Sequence, residues 1–85
     1  MYEEALKELL IAMNNANLPY KIIPFMNGYQ VICLLCPSGD VVCHDGSMGH
    51  TQGLWESFGL DGDGDDATGY LTAEAVVRKM KYSID

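Results

Sequence analysis

Side chains able to do chemistry gather in two stretches of this chain. The first is a thiol and imidazole set, Cys33, Cys36, Cys43, His44 and His50, in which a Cys-x-x-Cys pair is followed by a Cys-His dipeptide. Four such groups can hold zinc tetrahedrally through sulfur and nitrogen. The second is Asp61-Gly62-Asp63-Gly64-Asp65, with carboxylates at alternate positions, Asp66 beside them and Glu74 further on. Carboxylates this close repel one another unless a cation joins them, and calcium takes oxygen ligands of this kind. A third reading is nucleophilic catalysis, because Cys43, His44, Asp45, Ser47 and His50 crowd one loop.

Each reading meets an obstacle. The run from Asp61 to Glu74 resembles the calcium loop of an EF-hand, which implies Asp61, Asp63, Asp65 and Glu74 as ligands. Counted from Asp61, however, Asp66 stands where the turn glycine belongs and Thr68 where the core aliphatic belongs. Thr72 stands where the bidentate Glu belongs. For zinc, the candidates are Cys33, Cys36, Cys43 and His44. If Pro37 to Asp40 forms the turn, Cys36 pairs with Val41 and Leu34 with Cys43. Alternation then puts Cys36 and Cys43 on one face and Cys33 on the other. Cysteines packed as small hydrophobes are the competing reading. For catalysis, triad members normally converge from distant segments, and Asp45 replaces the first glycine of a nucleophile elbow. The chain is therefore expected to be no enzyme and to carry no cofactor, with the two metal sites kept as the alternative.

The elements that position these groups follow from periodicity. Tyr2, Ala5, Leu6, Leu9, Leu10 and Met13 form one apolar stripe at helical spacing, with Glu3 and Glu4 in the dipole-favoured first turn and Leu18-Pro19 as the stop. Tyr20 to Ile23 reads as an edge strand, because Pro24 follows it. Asn27-Gly28 reads as a turn and Tyr29 to Leu35 as a buried strand. Pro37 to Asp40 reads as a reversal before a third strand, Val41 to His44. Thr51 is expected to cap a short helix carrying Leu54, Trp55 and Phe58. Thr72 is expected to cap a final helix with Ala73, Val76, Val77 and Met80. The expected fold is thus a single α+β domain spanning residues 1–85, in the order α-β-β-β-α-α, with an N-terminal amphipathic helix, a three-stranded antiparallel meander and two short C-terminal helices.

Charge narrows the partners. The 85 residues carry a formal charge of −7, and no Lys or Arg occurs between Lys21 and Arg78. A nucleic-acid binder or an anionic-membrane binder needs cations to meet phosphates, so neither is expected. No apolar run is long enough to span a bilayer, and Met1-Tyr2-Glu3-Glu4 carries acid where a signal peptide needs a basic region. Three cysteines make no even disulfide framework, so a cytoplasmic protein is expected. The partner that an acidic field steers in is a protein with a basic surface. The expected contacts are Asp61, Asp63, Asp65 and Asp66, with Trp55 as an aromatic anchor. Oligomeric state is left open.

The block from His44 to Leu60, an acidic spacer, and Gly69-Tyr70-Leu71-Thr72-Ala73-Glu74-Ala75-Val76 together resemble a group of small phage and prophage proteins. In that group a Gly-Leu-Leu-Glu…Gly-Leu segment and a Gly-Tyr-Leu-Thr-Ala-Glu-x-Val segment flank an acidic spacer of variable length, and Trp55 here replaces an aliphatic. The resemblance implies origin and fold, not activity. A spacer of variable length also argues against a metal loop, whose ligand positions are fixed. The expected function is a small acidic protein-interaction module, a phage or prophage accessory protein that inhibits a host or defence protein from the host cytoplasm. A purely structural role is the other alternative to metal binding.

Overall fold

A computed structural model describes residues 1–84. Helix α1 (Glu3–Asn15) is followed by strands β1 (Tyr20–Phe25), β2 (Gly28–Cys33) and β3 (Asp40–Cys43). A single 3₁₀ turn at His50–Gln52 leads into β4 (Trp55–Phe58) and β5 (Thr68–Leu71), and helix α2 (Ala73–Tyr82) ends the fold. The five strands form one antiparallel sheet in sequence order.

The α+β class stands, but the expected three strands are five, and the expected helix at Leu54–Phe58 is strand β4. Trp55 and Phe58 lie three apart, which suits a helix face, yet in a strand the same spacing sends them to opposite sides. Trp55 is 1% exposed and Phe58 55% exposed, as alternation requires. Ser57 shares the inward side with Trp55, and a small polar residue there hides the period-two pattern from a sequence reading. Strand β5 was obscured by Gly69, a residue depleted in strands. A Cβ at Gly69 would lie 2.4 Å from Cβ of Met48, so the glycine lets that side chain cross the strand.

The remaining elements follow their local signals. Tyr2, Ala5, Leu9 and Met13 bury the α1 stripe. Thr72 caps α2 by accepting the Ala75 N–H at 3.1 Å. The β1–β2 hairpin turns through Met26 and Asn27, both at positive φ, the arrangement of a type I′ turn. Strand β1 runs through Pro24 at the edge of the sheet, where a missing N–H costs no ladder bond.

Register decides the layers. Ile22, Val31, Val41, Ser57 and Thr68 are successive cross-strand partners, so they share one face. Tyr20, Cys33, Cys43 and Trp55 lie on that face too. Both helices pack there: Leu9 and Met13 of α1 and Val76 and Met80 of α2 belong to one core with Val31, Cys33, Val41, Cys43 and Trp55. The opposite face carries Ile23, Gln30, Val42 and Glu56 as its central row, and no element of the described residues packs over it.

Two loops at one end of the sheet are locked by a pair of glycines. Gly39 (φ 96°) and Gly59 (φ 80°) are both left-handed, and a Cβ on Gly39 would sit 2.6 Å from the carbonyl carbon of Gly59. Neither the backbone conformation nor the space admits a side chain. Gly39→Ala is therefore expected to destabilise the protein by about 2 kcal/mol, lowering Tm by roughly 8–16 °C on the usual scaling for a domain this size. A thermal melt reads this directly, and an unchanged Tm would contradict the close approach.

Candidate functional site

The acidic loop is held from inside. Asp63, the middle carboxylate of the run, has a side chain with 0% exposure and lies 2.7 Å from Nζ of Lys79, itself 16% exposed. Thr68 donates its hydroxyl to the same oxygen at 2.6 Å. Ser57 and the backbone N–H of Leu60 donate to the other oxygen at 2.9 and 3.0 Å. Ser57 and Thr68 are cross-strand partners of β4 and β5, so their hydroxyls reach one acceptor because the register aligns them. Burial alone pushes the Asp63 carboxyl up. The ammonium, the two hydroxyls and the N–H overcome it and hold the group below the usual carboxylate range.

This arrangement differs from the calcium loop kept as an alternative. Lys79 also donates to the backbone carbonyl of Asp61 at 2.7 Å, so its ammonium stands where a metal would gather loop oxygens. The N–H of Asp61 in turn donates to Ser83 Oγ at 2.7 Å, pinning the loop to the last turn of α2. The EF-hand's entering helix is replaced by β4. Glu74 is exposed in the first turn of α2, where it complements the helix dipole. Of the expected partner contacts, Asp61, Asp65 and Asp66 are exposed, whereas Asp63 and Trp55 are interior and cannot touch a partner in this fold.

The cysteines also pack differently from the sequence expectation. The observed register is Tyr29 with Cys43 and Val31 with Val41, not Leu34 with Cys43, because β2 stops at Cys33 and a longer loop follows. Cys33 and Cys43 therefore share the buried face, and Cys36, in the loop beyond β2, is partly buried against the same core. Cys36 donates its thiol to the carbonyl of Met80 at 3.4 Å. Burial, reinforced by Cys33, pushes its pKa up to about 12, and burial raises Cys43 as well. Thiols so poor in thiolate are weak nucleophiles. His44 instead sits edge-on to Phe25 at 5.2 Å, with Nδ1 against the Asp45 carbonyl at 2.8 Å. Among the described residues no group of three or more His, Cys, Asp or Glu is placed to hold a metal.

One constellation joins residues far apart in sequence. Tyr2, at the start of α1, donates its hydroxyl to Asp45 and lies 2.9 Å from Nδ1 of His50. Asn27, at the hairpin tip, donates its amide to Asp45 at 2.7 Å. The bond to Asp45 pushes the Tyr2 hydroxyl up to about 12, and the Tyr2 and Asn27 donors hold Asp45 low. The sequence singled out Asp45 and His50. It missed Tyr2, which the helical stripe accounts for as a core residue and which nothing local marks as a hydrogen-bonding partner. Ser47 bonds only its own turn, its hydroxyl donating to the His44 carbonyl at 3.0 Å.

No protein-family model, no curated protein and no solved structure matches this chain. The assignment of the loop therefore rests on its geometry. Removing the charge of Asp63 strands a nearly buried ammonium and leaves hydroxyls aimed at a weaker acceptor. Asp63→Asn is expected to cost about 3–5 kcal/mol, whereas Asp61→Asn or Asp65→Asn should cost less than about 0.5 kcal/mol. Because folding depresses the Asp63 pKa, its contribution is complete above the usual carboxylate value near 4. It is lost as pH falls through the lower folded value. Urea unfolding from neutral to strongly acidic pH tests this, and a stabilisation of the wild type by added calcium would contradict it.

Proposed function

We propose that this protein is a small acidic interaction module whose binding surface is the sheet face opposite the helices. The observation that carries this is the composition of that face. An antiparallel sheet covered on one side normally turns polar residues to water on the other. Here Ile23, Ile32 and Val42 are only partly buried on the open side, with Phe25 exposed toward one end of it and Phe58 toward the other. Apolar side chains exposed among polar ones in this way suit an interaction site.

Charge supports a basic partner. Asp40 and Glu56 stand among the apolar residues, each held by a hydrogen bond, Asp40 from the Gln30 amide at 2.6 Å and Glu56 from the Met48 N–H at 2.8 Å. Lys21 is the one cation in that register, at the edge strand. A protein patch with an apolar centre and Lys or Arg at its rim complements both features. The exposed Asp61, Asp65 and Asp66 extend the same field. The resemblance to phage and prophage proteins supports a host or defence protein as the target, approached in the cytoplasm. Free thiols at all three cysteines suit that compartment, and no described helix is long and apolar enough to cross a membrane.

Affinity capture from the lysate of the host cell tests the reading with three proteins. The wild type is expected to retain a basic protein, and Phe58→Ala to lose it by about tenfold with an unchanged Tm. A variant with Asp61, Asp65 and Asp66 changed to Lys is expected to weaken capture in a salt-dependent way. Equal capture by Phe58→Ala would move the interface off the sheet. Capture of nothing by the wild type would overturn the module itself.

A further inference from the structure

The two edges of the sheet are not alike. At β5 the N–H of Tyr70 donates to the Met48 carbonyl at 3.4 Å, so the loop after β3 covers that edge. Strand β1 has β2 on one side and no described element on the other. Ile22 stands on the face the helices cover and is still 36% exposed, so the helices stop short of this strand. We infer that β1 pairs antiparallel with β1 of a second copy of this chain, joining the two 5-stranded sheets into one across a twofold axis at Ile22. The inference does not rest on the partner reading above, because it uses the edge of the sheet and not its open face.

The ladder decides which backbone groups are free. Phe25 and Gly28 close the hairpin turn, so they form a hydrogen-bonded pair, and bonded and non-bonded pairs then alternate along the strands. Lys21 and Ile23 therefore bond to β2. The N–H and C=O of Tyr20 and Ile22 point outward, as does the Pro24 carbonyl, and none of them bonds another described residue.

Lys and Pro are residues with which edges discourage pairing, and here they leave one register favourable. With the axis at Ile22, that residue exchanges bonds with its own copy, and each Tyr20 N–H reaches a Pro24 carbonyl. An axis at Ile23 would set Ile22 against Pro24, which has no N–H to return. An axis at Lys21 would set Lys21 against Lys21 in a non-bonded pair, where side chains are closest and like charges oppose.

Charge favours the same edge. At −7 per chain, two copies repel wherever their carboxylates face each other. Residues 9–39, which include β1, β2 and the turn between them, contain no Asp or Glu. Lys21 is the one charged side chain on β1, and Phe25 and Met26 are exposed at its end. A second copy thus meets apolar side chains and unbonded backbone along this strand.

Sedimentation equilibrium of the full chain from about 10 µM to about 1 mM tests this, with a Kd of about 0.1 mM expected for a contact below standard size. About one chain in five is then free at the highest concentration, so amide exchange at Tyr20 and Ile22 should slow about fivefold relative to the dilute sample. The amides of Lys21 and Ile23, already bonded to β2, should change little. Because two acidic copies repel, added salt is expected to tighten the dimer. Ile22→Lys sets two ammonium groups opposite each other and should weaken it about tenfold, whereas Ile11→Lys, at an exposed position of α1, should not. A chain still monomeric at about 1 mM would overturn the proposal. So would a dimer that salt weakens, that leaves the Tyr20 and Ile22 amides unprotected, or that forms equally well with Ile22→Lys.

Discussion

A carboxylate with no exposed surface governs this fold. Asp63 lies below the cross-strand pair Ser57–Thr68 and against Lys79 of α2, so one side chain joins β4, β5, the loop between them and the final helix. Taking a charge out of water costs several kcal/mol unless an opposite charge and hydrogen bonds replace the solvent. Here one ammonium, two hydroxyls and one backbone N–H do so. A domain of this size holds only about 5–10 kcal/mol of net stability, so this single group commands a large share of it. An apolar substitute would fill the space but orphan Ser57, Thr68 and the Leu60 N–H. That is why the site is polar although buried pairs in general add little.

A second carboxylate plays a similar part at the other end of the sheet. Asp45 ties the start of α1, the β1–β2 hairpin tip and the loop after β3 through Tyr2 and Asn27. Both acids therefore serve first as internal acceptors for donors brought from separate elements. The difference is solvent. Asp63 is sealed, whereas Asp45 lines an open pocket with Glu4 and His50.

The legible parts of the fold were those with a long local signal. Helix α1 shows its stripe over about three turns, and α2 shows a capping Thr and a basic end. Strands β1 to β3 carry β-branched runs between turn residues. Strand β4 was misread because the spacing of Trp55 and Phe58 suits a helix face, and the inward Ser57 looks polar until Asp63 is seen beside it. The loop after β2 was read too short, which put Cys33 on the wrong face. The acidic loop drew attention correctly, since carboxylates this dense do require a cation. The cation is Lys79, sixteen residues away from Asp63 on a helix, and no local pattern connects the two. Open and covered sheet faces were likewise invisible, because which side the helices take depends on register.

The central claim is that Asp63 and Lys79 act as one unit. A double-mutant cycle with Asp63→Asn, Lys79→Met and the pair, read by urea unfolding at neutral pH, measures that coupling directly. The structure predicts that the two substitutions together cost less than their sum by about 2 kcal/mol or more. Additivity within about 0.5 kcal/mol would show that the two charges are independent and would contradict it.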